Sequence, residues 1–339
     1  MRIDGSTGEG GGQVLRTALA LSLCLDKPVR IVNIRAKRKK PGLRPQHLTS
    51  VLAAAEISQA EVTGAELSST DLIFKPHRLS PGNYRFIMAT AGSTTLVLQT
   101  ILPALLTASG PSHLILEGGT HNPMAPPFDF LVHGFLPILQ RMGSRVSVRL
   151  WKPGFYPAGG GRIGVDIDPV NRLNPIELLD RGRIMSKNAV AVVSRLPEHI
   201  ACRELDVIRH EFGLPDNCLE TRVEKRAKGP GNVMYVMVES EQITEVFTGF
   251  GLRGVRAEKV ARGVAREMRR YLEAEGAAAG KYLADQLLLP FTLAGEGAFS
   301  TMTPSRHTLT NMEIIRLFTG RAFLCQRRKN DVYYIELTQ

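Results

Sequence analysis

The chain has 339 residues, 43% of them apolar and 22% charged, and carries a formal net charge of +11. That is enough chain for a sizeable core and for one large or two ordinary domains of a soluble globular protein. No apolar run reaches the about 18 residues a membrane helix needs, and four cysteines with no C-x-x-C pair exclude a disulfide scaffold and a structural zinc. The excess of Lys and Arg favours an anionic partner such as nucleic acid or a nucleotide.

The start, MRIDGSTGEGGGQ, is polar and acidic. A secretory leader would begin basic and continue apolar, so a cytoplasmic protein is predicted, with no membrane partner. Gly8-Glu9-Gly10-Gly11-Gly12-Gln13 opens an apolar helix, Val14 to Leu25. The run lacks the Gly-Lys-Ser/Thr ending of a Walker loop. Its backbone N–H groups and helix N-terminus still suit phosphate, and Glu9 suits a divalent metal beside that phosphate. A tight turn against a sheet explains the same glycines, and both readings stand. A strand-like run, Val29 to Ile34, then leads into the densest basic segment, Arg35-Ala-Lys37-Arg38-Lys39-Lys40, followed by Arg44 and His47. Either a solvated face or a site at a strand end accounts for it. Gln46 to Glu56 follows with helical period.

The same grammar returns twice. Ala91-Gly92-Ser93-Thr94 opens an apolar helix, Thr95 to Leu106, and Gly280 precedes Tyr282-Leu-Ala-Asp-Gln286-Leu-Leu-Leu-Pro290. Gln99 precedes Pro103 by four residues, as Gln286 precedes Pro290. Each glycine-led helix is apolar nearly all round and is predicted to be buried under a sheet. Second helices are predicted over Pro127 to Met142 and Thr308 to Phe318, and strands over Arg145 to Leu150 and Val332 to Leu337. The unit reads helix, strand, helix, strand, strand. Copies begin near residues 5, 85 and 279, with an insertion between the second and third.

The insertion contains strands at Asn188 to Ser194, Asn232 to Val238 and Glu245 to Thr248, and helices at Cys202 to Phe212 and Ala257 to Ala274. The Ala/Gly-rich Ala274 to Gly280 reads as a hinge back to the main body. Gly249-Phe-Gly251-Leu-Arg-Gly254 fits G-x-G-x-x-G, but no βαβ crossover with an acidic strand end follows, so a glycine-rich turn is preferred to a dinucleotide site. Tyr156 to Arg162 holds three consecutive glycines, read as close backbone packing. Gly118 to Pro127 reads as a rigid turn into a helix, with prolines suited to an apolar shelf for a base. His307, in Pro304-Ser305-Arg306-His307-Thr308, stands just before a helix. A neutral imidazole there suits attack on phosphorus, with Arg306 and the helix start steadying the anion. Residue type alone does not separate this from an ordinary surface histidine.

Together these motifs resemble the RNA 3'-terminal phosphate cyclase family, in order and along essentially the whole chain. The likeness runs from Gly8-Glu9-Gly10-Gly11-Gly12-Gln13-x-x-Arg16 through Arg35-x-x-Arg38, Pro41-Gly42-Leu43, Gln46-His47-Leu48 and Ala91-Gly92-Ser93 with Gln99. It continues through Gly118-Gly119-Thr120 with Asn122-Pro123, Gly154 to Gly161, Gly229-Pro230-Gly231-Asn232 and Tyr282-Leu-Ala-Asp285-Gln286 to His307. The resemblance implies an α/β (α+β) fold: a large domain of three repeated α/β units, similar to that of the enolpyruvyl transferases, with a small inserted α+β domain. Boundaries of 1–180 and 276–339 for the discontinuous catalytic domain, and 181–275 for the insert, are expected.

The resemblance further implies a ligase-class activity that converts an RNA 3'-terminal phosphate to a 2',3'-cyclic phosphate at the expense of ATP. His307 would carry AMP. Gln99, Pro126, Tyr282, Leu283, Ala284, Asp285 and Gln286 would form the ATP pocket, with Tyr282 and Pro126 about the adenine. Gln13, Arg16, Arg35, Arg38, Gln46 and His47 would grip the RNA phosphate, and Glu9 would hold a divalent metal, Mg2+ or Mn2+. The implied partners are RNA with a 3'-phosphate end and ATP, and a homodimer is admitted. Three rivals stand beside this reading. They are a non-catalytic, cyclase-like RNA-binding factor for ribosome assembly, which would lack the histidine, a small-metabolite transferase on the same repeats, and a plain RNA-binding protein.

Overall fold

A computed structural model describes residues 1–338. The first unit is β1 (Arg2–Asp4), α1 (Gly12–Leu25), β2 (Val29–Val32), α2 (Pro45–Ser58), β3 (Glu61–Thr63) and β4 (Leu72–Lys75). Its sheet has the order β1-β2-β4-β3, with β1 and β2 parallel and the other pairs antiparallel. The second unit is β5 (Asn83–Ile87), α3 (Thr94–Leu105), β6 (Ser112–Gly118), a second helical stretch, β7 (Arg145–Lys152) and β8 (Gly161–Asp168), in the sheet order β5-β6-β8-β7. Its second helical stretch is α4 (Phe128–Phe130), a π-helical turn (Leu131–Phe135) and α5 (Leu136–Arg141).

The third unit opens with β9 (Glu177–Leu178). The chain then leaves to form β10 (Ile184–Ser194), α6 (His199–Phe212), β11 (Leu219–Val223), β12 (Gly231–Ser240), β13 (Thr244–Phe250) and α7 (Ala257–Glu273). It returns as α8 (Lys281–Ala294), β14 (Ala298–Thr301), α9 (Arg306–Thr319), β15 (Phe323–Arg327) and β16 (Tyr333–Leu337). β9 pairs parallel with β14, and the order β9-β14-β16-β15 repeats that of the first two sheets.

The repeat is therefore β-α-β-α-β-β, one strand longer than the helix-led unit expected, and the insertion interrupts the third copy after its first strand. A two-residue strand has too little alternation to register in sequence; its parallel partner, over a hundred residues away, defines it. β11 was also missed, because this edge strand is largely exposed and carries no apolar alternation.

The three glycine-led helices are buried as expected, but largely against other helices. α1 packs on α2, α3 and α9, and α8 packs on α9 and α3. An element apolar all round needs neighbours on every side, and one sheet covers one face only. The resulting core includes residues of all three units, such as Leu15, Leu98 and Leu287. In the segment 184–273, one sheet face packs with α6 and α7 in a separate cluster that includes Ala191, Ile208 and Met268. Its other face meets the π-helical turn, where Tyr235 stacks on His133 with ring centroids 6.3 Å apart.

The expected hinge at Ala274 to Gly280 is instead packed. Ala277, Ala278 and Ala279 are fully buried, and Ala278 N–H donates to Ser300 Oγ at 2.8 Å. Small side chains here permit close approach rather than motion. The glycines of the 154–161 loop behave as expected: a Cβ on Gly161 would lie 2.5 Å from the Gly154 backbone nitrogen. Among the described residues no helix is long and apolar enough to cross a membrane.

Candidate active site

The N-termini of α1, α2 and α9 and the inner turns of α3 and α8 converge. Each helix starts where local chemistry dictates. Pro45 supplies a preset φ at the first position of α2, and the Ser93 and Ser305 hydroxyls cap α3 and α9 by accepting from Leu96 N–H and Thr308 N–H. The N-terminal glycine turn lies on α9, where Glu9 N–H donates to Thr310 Oγ1 at 3.1 Å. The basic loop closes over the same turn. A Cβ on Gly10 would lie 2.9 Å from the Lys37 side chain, and Arg38 forms an ion pair with Glu9.

Below this turn a buried network joins all three units. Arg16 Nη2 donates to Gln13 Oε1 at 2.7 Å, and Arg16 Nε to Gln99 Oε1 at 3.1 Å. Gln99 Nε2 donates to Gln286 Oε1 at 2.7 Å. Asn311 closes the ring: its Oδ1 accepts from Gln13 Nε2 and Thr17 Oγ1, and its Nδ2 donates to Asp285 Oδ1 at 2.7 Å. Burial pushes the Arg16 guanidinium down to about 10, against the opposing pull of Asp285 and Glu9. Burial likewise pushes the Asp285 carboxyl up to about 7, with Arg16 opposing.

His47 is buried with its Nδ1 accepting from Arg44 N–H at 3.2 Å. Burial, helped by Arg16, Arg35 and Arg44, drives its pKa down to about 3. The ring is neutral, and because Nδ1 is an acceptor the proton sits on Nε2. That N–H faces Gly12, whose missing side chain leaves the space open: a Cβ there would lie 2.4 Å from His47 Nε2 and 2.8 Å from Arg16 Nη1.

His307 occupies the first turn of α9 with its ring exposed. Partial burial lowers its pKa; Arg16, Arg38 and Lys281 act in the same direction, and Glu9 opposes them. The arrangement is a neutral, accessible imidazole among cations at a helix N-terminus. A nucleophile in that state has its lone pair free, and an anion it attacks is held by fixed positive charge.

Of the other residues expected at the site, Arg35 donates to the carbonyls of Lys40 and Gly42 and so shapes its own loop. Gln46 Oε1 accepts from Ser93 N–H at 3.3 Å and ties α2 to the start of α3. Gln13, Arg16, Gln99, Pro126, Asp285 and Gln286 line one cavity of about 50 Å3, room for water rather than for a purine. Leu283 and Ala284 are buried in the core. Tyr282 lies outside this cavity with half its surface exposed; Lys281 Nζ stands over its ring at 5.2 Å.

Sequence reasoning missed Thr17, Thr310 and Asn311, whose contacts Thr310–Glu9, Asn311–Gln13 and Asn311–Thr17 each span about 300 residues of chain. It also missed Glu245, which accepts from Gly280 N–H at 2.6 Å and anchors the start of α8. Burial pushes that carboxyl up to about 8. A charged residue alternating into a buried strand face is the one local sign it left.

Among the described residues no cluster of three His, Cys, Asp or Glu side chains suits a metal ion. Glu9, the residue expected to hold a metal, is engaged by Arg38 and by Gln13 N–H, and a cation would have to displace the arginine to reach it.

The family described as RNA 3'-terminal phosphate cyclase matches residues 7–325. A protein of Koribacter versatilis with that name is 52% identical over 328 residues, covering 97% of this chain and 92% of the relative. Relatives of the same name from Pseudomonas fluorescens and Ectopseudomonas mendocina are 49% and 44% identical, covering 94% and 100% of this chain and 92% and 98% of their own lengths. With likeness of that depth along the whole length, this chain belongs to the RNA 3'-terminal phosphate cyclase family.

Proposed function

We propose that the chain converts an RNA 3'-terminal phosphate to a 2',3'-cyclic phosphate with ATP, through AMP carried on His307. The observation that carries the reading is the state of His307: a neutral, exposed imidazole among Arg16, Arg38 and Lys281. In the first step its ring nitrogen attacks the α-phosphorus of ATP, and the bond to the β-phosphate breaks to release pyrophosphate. An oxygen of the RNA 3'-phosphate then takes AMP from the ring and restores the free imidazole. Attack by the neighbouring 2'-hydroxyl on the activated 3'-phosphorus finally closes the cyclic ester and expels AMP. Splitting one hard displacement among these steps is what a covalent nucleophile is for.

The other roles follow from charge and placement. Arg16, Arg35 and Arg38 meet phosphate, and the His47 Nε2–H and Gln13 add neutral donors. Gln46 holds the start of α3 beside them. ATP rests over the mouth of the Gln99–Asp285–Gln286 cavity, with Pro126 and Tyr282 on either side of the adenine and Leu283 and Ala284 setting the backbone between them. A divalent metal, Mg2+ or Mn2+, would be held by Glu9, and would offset triphosphate charge when bound. The 2'-hydroxyl distinguishes RNA from DNA at the reactive end. Residues 1–180 and 276–339 act as the catalytic domain and 181–275 as an inserted one, a division favoured by the insert's own sheet and core.

Labelled ATP tests the reading. The wild-type chain is expected to form a covalent, acid-labile AMP adduct, and His307→Ala to form none. Adduct formation by the His307→Ala protein would remove His307 from the role. Arg35→Ala and Arg38→Ala are expected to slow cyclisation with the adduct largely retained.

A further inference from the structure

An open cleft lies outside the network just described. It has a volume of about 620 Å3 and runs between the 154–161 loop, the turn that precedes α4, and the Gly249–Gly254 turn at the start of α7. That volume suits a nucleoside-sized ligand. Its walls are flat and apolar: Phe155 stacked on His121 at 5.2 Å, Tyr156 at 63% exposure, Phe250 and Leu252. Both His121 nitrogens are engaged, Nδ1 with Thr120 Oγ1 and Nε2 with Asp129 Oδ2, so its ring offers the cleft a face and no acid or base.

One buried polar group in this wall lacks a partner. Asn232 is 5% exposed, its Nδ2 donates to Glu204 Oε2 at 2.8 Å, and its Oδ1 accepts from nothing. Gly251 packs directly against that oxygen, where a Cβ would lie 2.3 Å from it, so a ligand N–H reaches the acceptor only as this glycine backbone shifts. A buried acceptor left open is costly unless a ligand N–H meets it. Arg253 lines the cleft and is exposed, and the exposed Arg256 follows it at the N-terminus of α7. Apolar, aromatic-rich walls beside exposed cationic side chains match a base and its phosphate.

The cleft also neighbours the cavity of Gln99 and Asp285. Pro123 lines the cleft, and Pro126, three residues on in the same turn, lines the cavity. Three residues of chain span at most about 11 Å. The 154–161 loop packs on Ala91, whose carbonyl accepts from Asn122 Nδ2 at 2.6 Å, just before the α3 cap that Gln46 holds.

We propose that this cleft seats a nucleobase of the RNA strand upstream of the terminal phosphate, a subsite that rests on the cyclase reading and extends it. The G-x-G-x-x-G turn, no dinucleotide fingerprint, then serves as one wall of a base pocket.

An abasic scan tests it. A series of 3'-phosphorylated oligoribonucleotides, each with one abasic residue at a different place, is titrated against the full chain by anisotropy and by cyclisation KM. One upstream position is expected to stand out, with a roughly five- to hundredfold loss of affinity, the range for one base stacked on an aromatic side chain. Tyr156→Ala and Arg253→Glu change exposed side chains. Each is expected to weaken intact RNA by a similar factor and to abolish the extra loss at that position, while AMP loading without RNA continues. A flat abasic profile, or variants with wild-type affinity, overturns the subsite. Absence of AMP loading in the wild type would count against the function of His307 instead, and the anisotropy series would still decide the cleft.

Discussion

Arg16 and Gln99, 83 residues apart, share a hydrogen bond of 3.1 Å that joins the first repeat to the second at the floor of the site. Gln99 passes the connection to Gln286 in the third. The three repeats thus hold one another through side chains that also set the orientation of the Arg16 guanidinium.

Removing the middle of this chain tests it. Gln99→Ala leaves Arg16 Nε and Gln286 Oε1 buried without their partner, which is expected to cost about 1–3 kcal/mol of stability. Calorimetry should show the lowered Tm. Gln99→Glu should restore part of the stability through the charge-assisted contact with Arg16, while changing the affinity for ATP.

Stability should depend on pH in a defined direction. Burial raises Asp285 to about 7, Glu204 to about 7 and Glu245 to about 8. Each carboxyl binds its proton more tightly in the folded chain than in the unfolded one, where it titrates near about 4. Their contribution is therefore fully present below the unfolded values and is lost as pH rises through 7 and 8. Thermal unfolding is expected to show a Tm that falls by about 5 °C or more between about pH 5 and about pH 9. Glu245→Gln, which keeps an acceptor for Gly280 N–H, should flatten the upper part of that fall.

AMP loading should have its acid limb below about pH 6.5, the ordinary histidine value, because His307 is held below it. Lys281→Met removes one of the cations that depress it, so the limb is expected to move to higher pH. A pH series of single-turnover adduct formation measures both. An unmoved limb in Lys281→Met would assign the depression to burial and the arginines alone.

Two glycines should fail in different ways. In Gly12→Ala the new Cβ meets side-chain atoms of His47 and Arg16. These groups can shift, so cyclisation is expected to drop at least about tenfold, on the order of 1.4 kcal/mol, with a modest change in Tm. In Gly161→Ala it meets the backbone of Gly154, which cannot yield. Overpacking of that kind is expected to cost about 1–3 kcal/mol or more, and to show first as lost stability. Paired Tm and activity measurements separate the two.

Much of this molecule was legible in the sequence, and the boundary has physical causes. Local pattern sufficed for the glycine-led apolar helices at α1, α3 and α8, for the strand-to-helix turn after Phe250, and for close packing at Gly154 to Gly161, since each depends on residue type at short spacing. Motif order sufficed for the family. Tertiary structure alone decided that the third repeat begins at Glu177–Leu178 and that the insertion interrupts it, because a two-residue strand exists only through its partner. It alone brought Asn311 to Gln13 and Asp285, assigned the His47 proton to Nε2, and pushed Asp285 and Glu245 up. Those properties belong to burial and to contacts between separate elements, some of them hundreds of residues apart, which no spacing along the chain encodes.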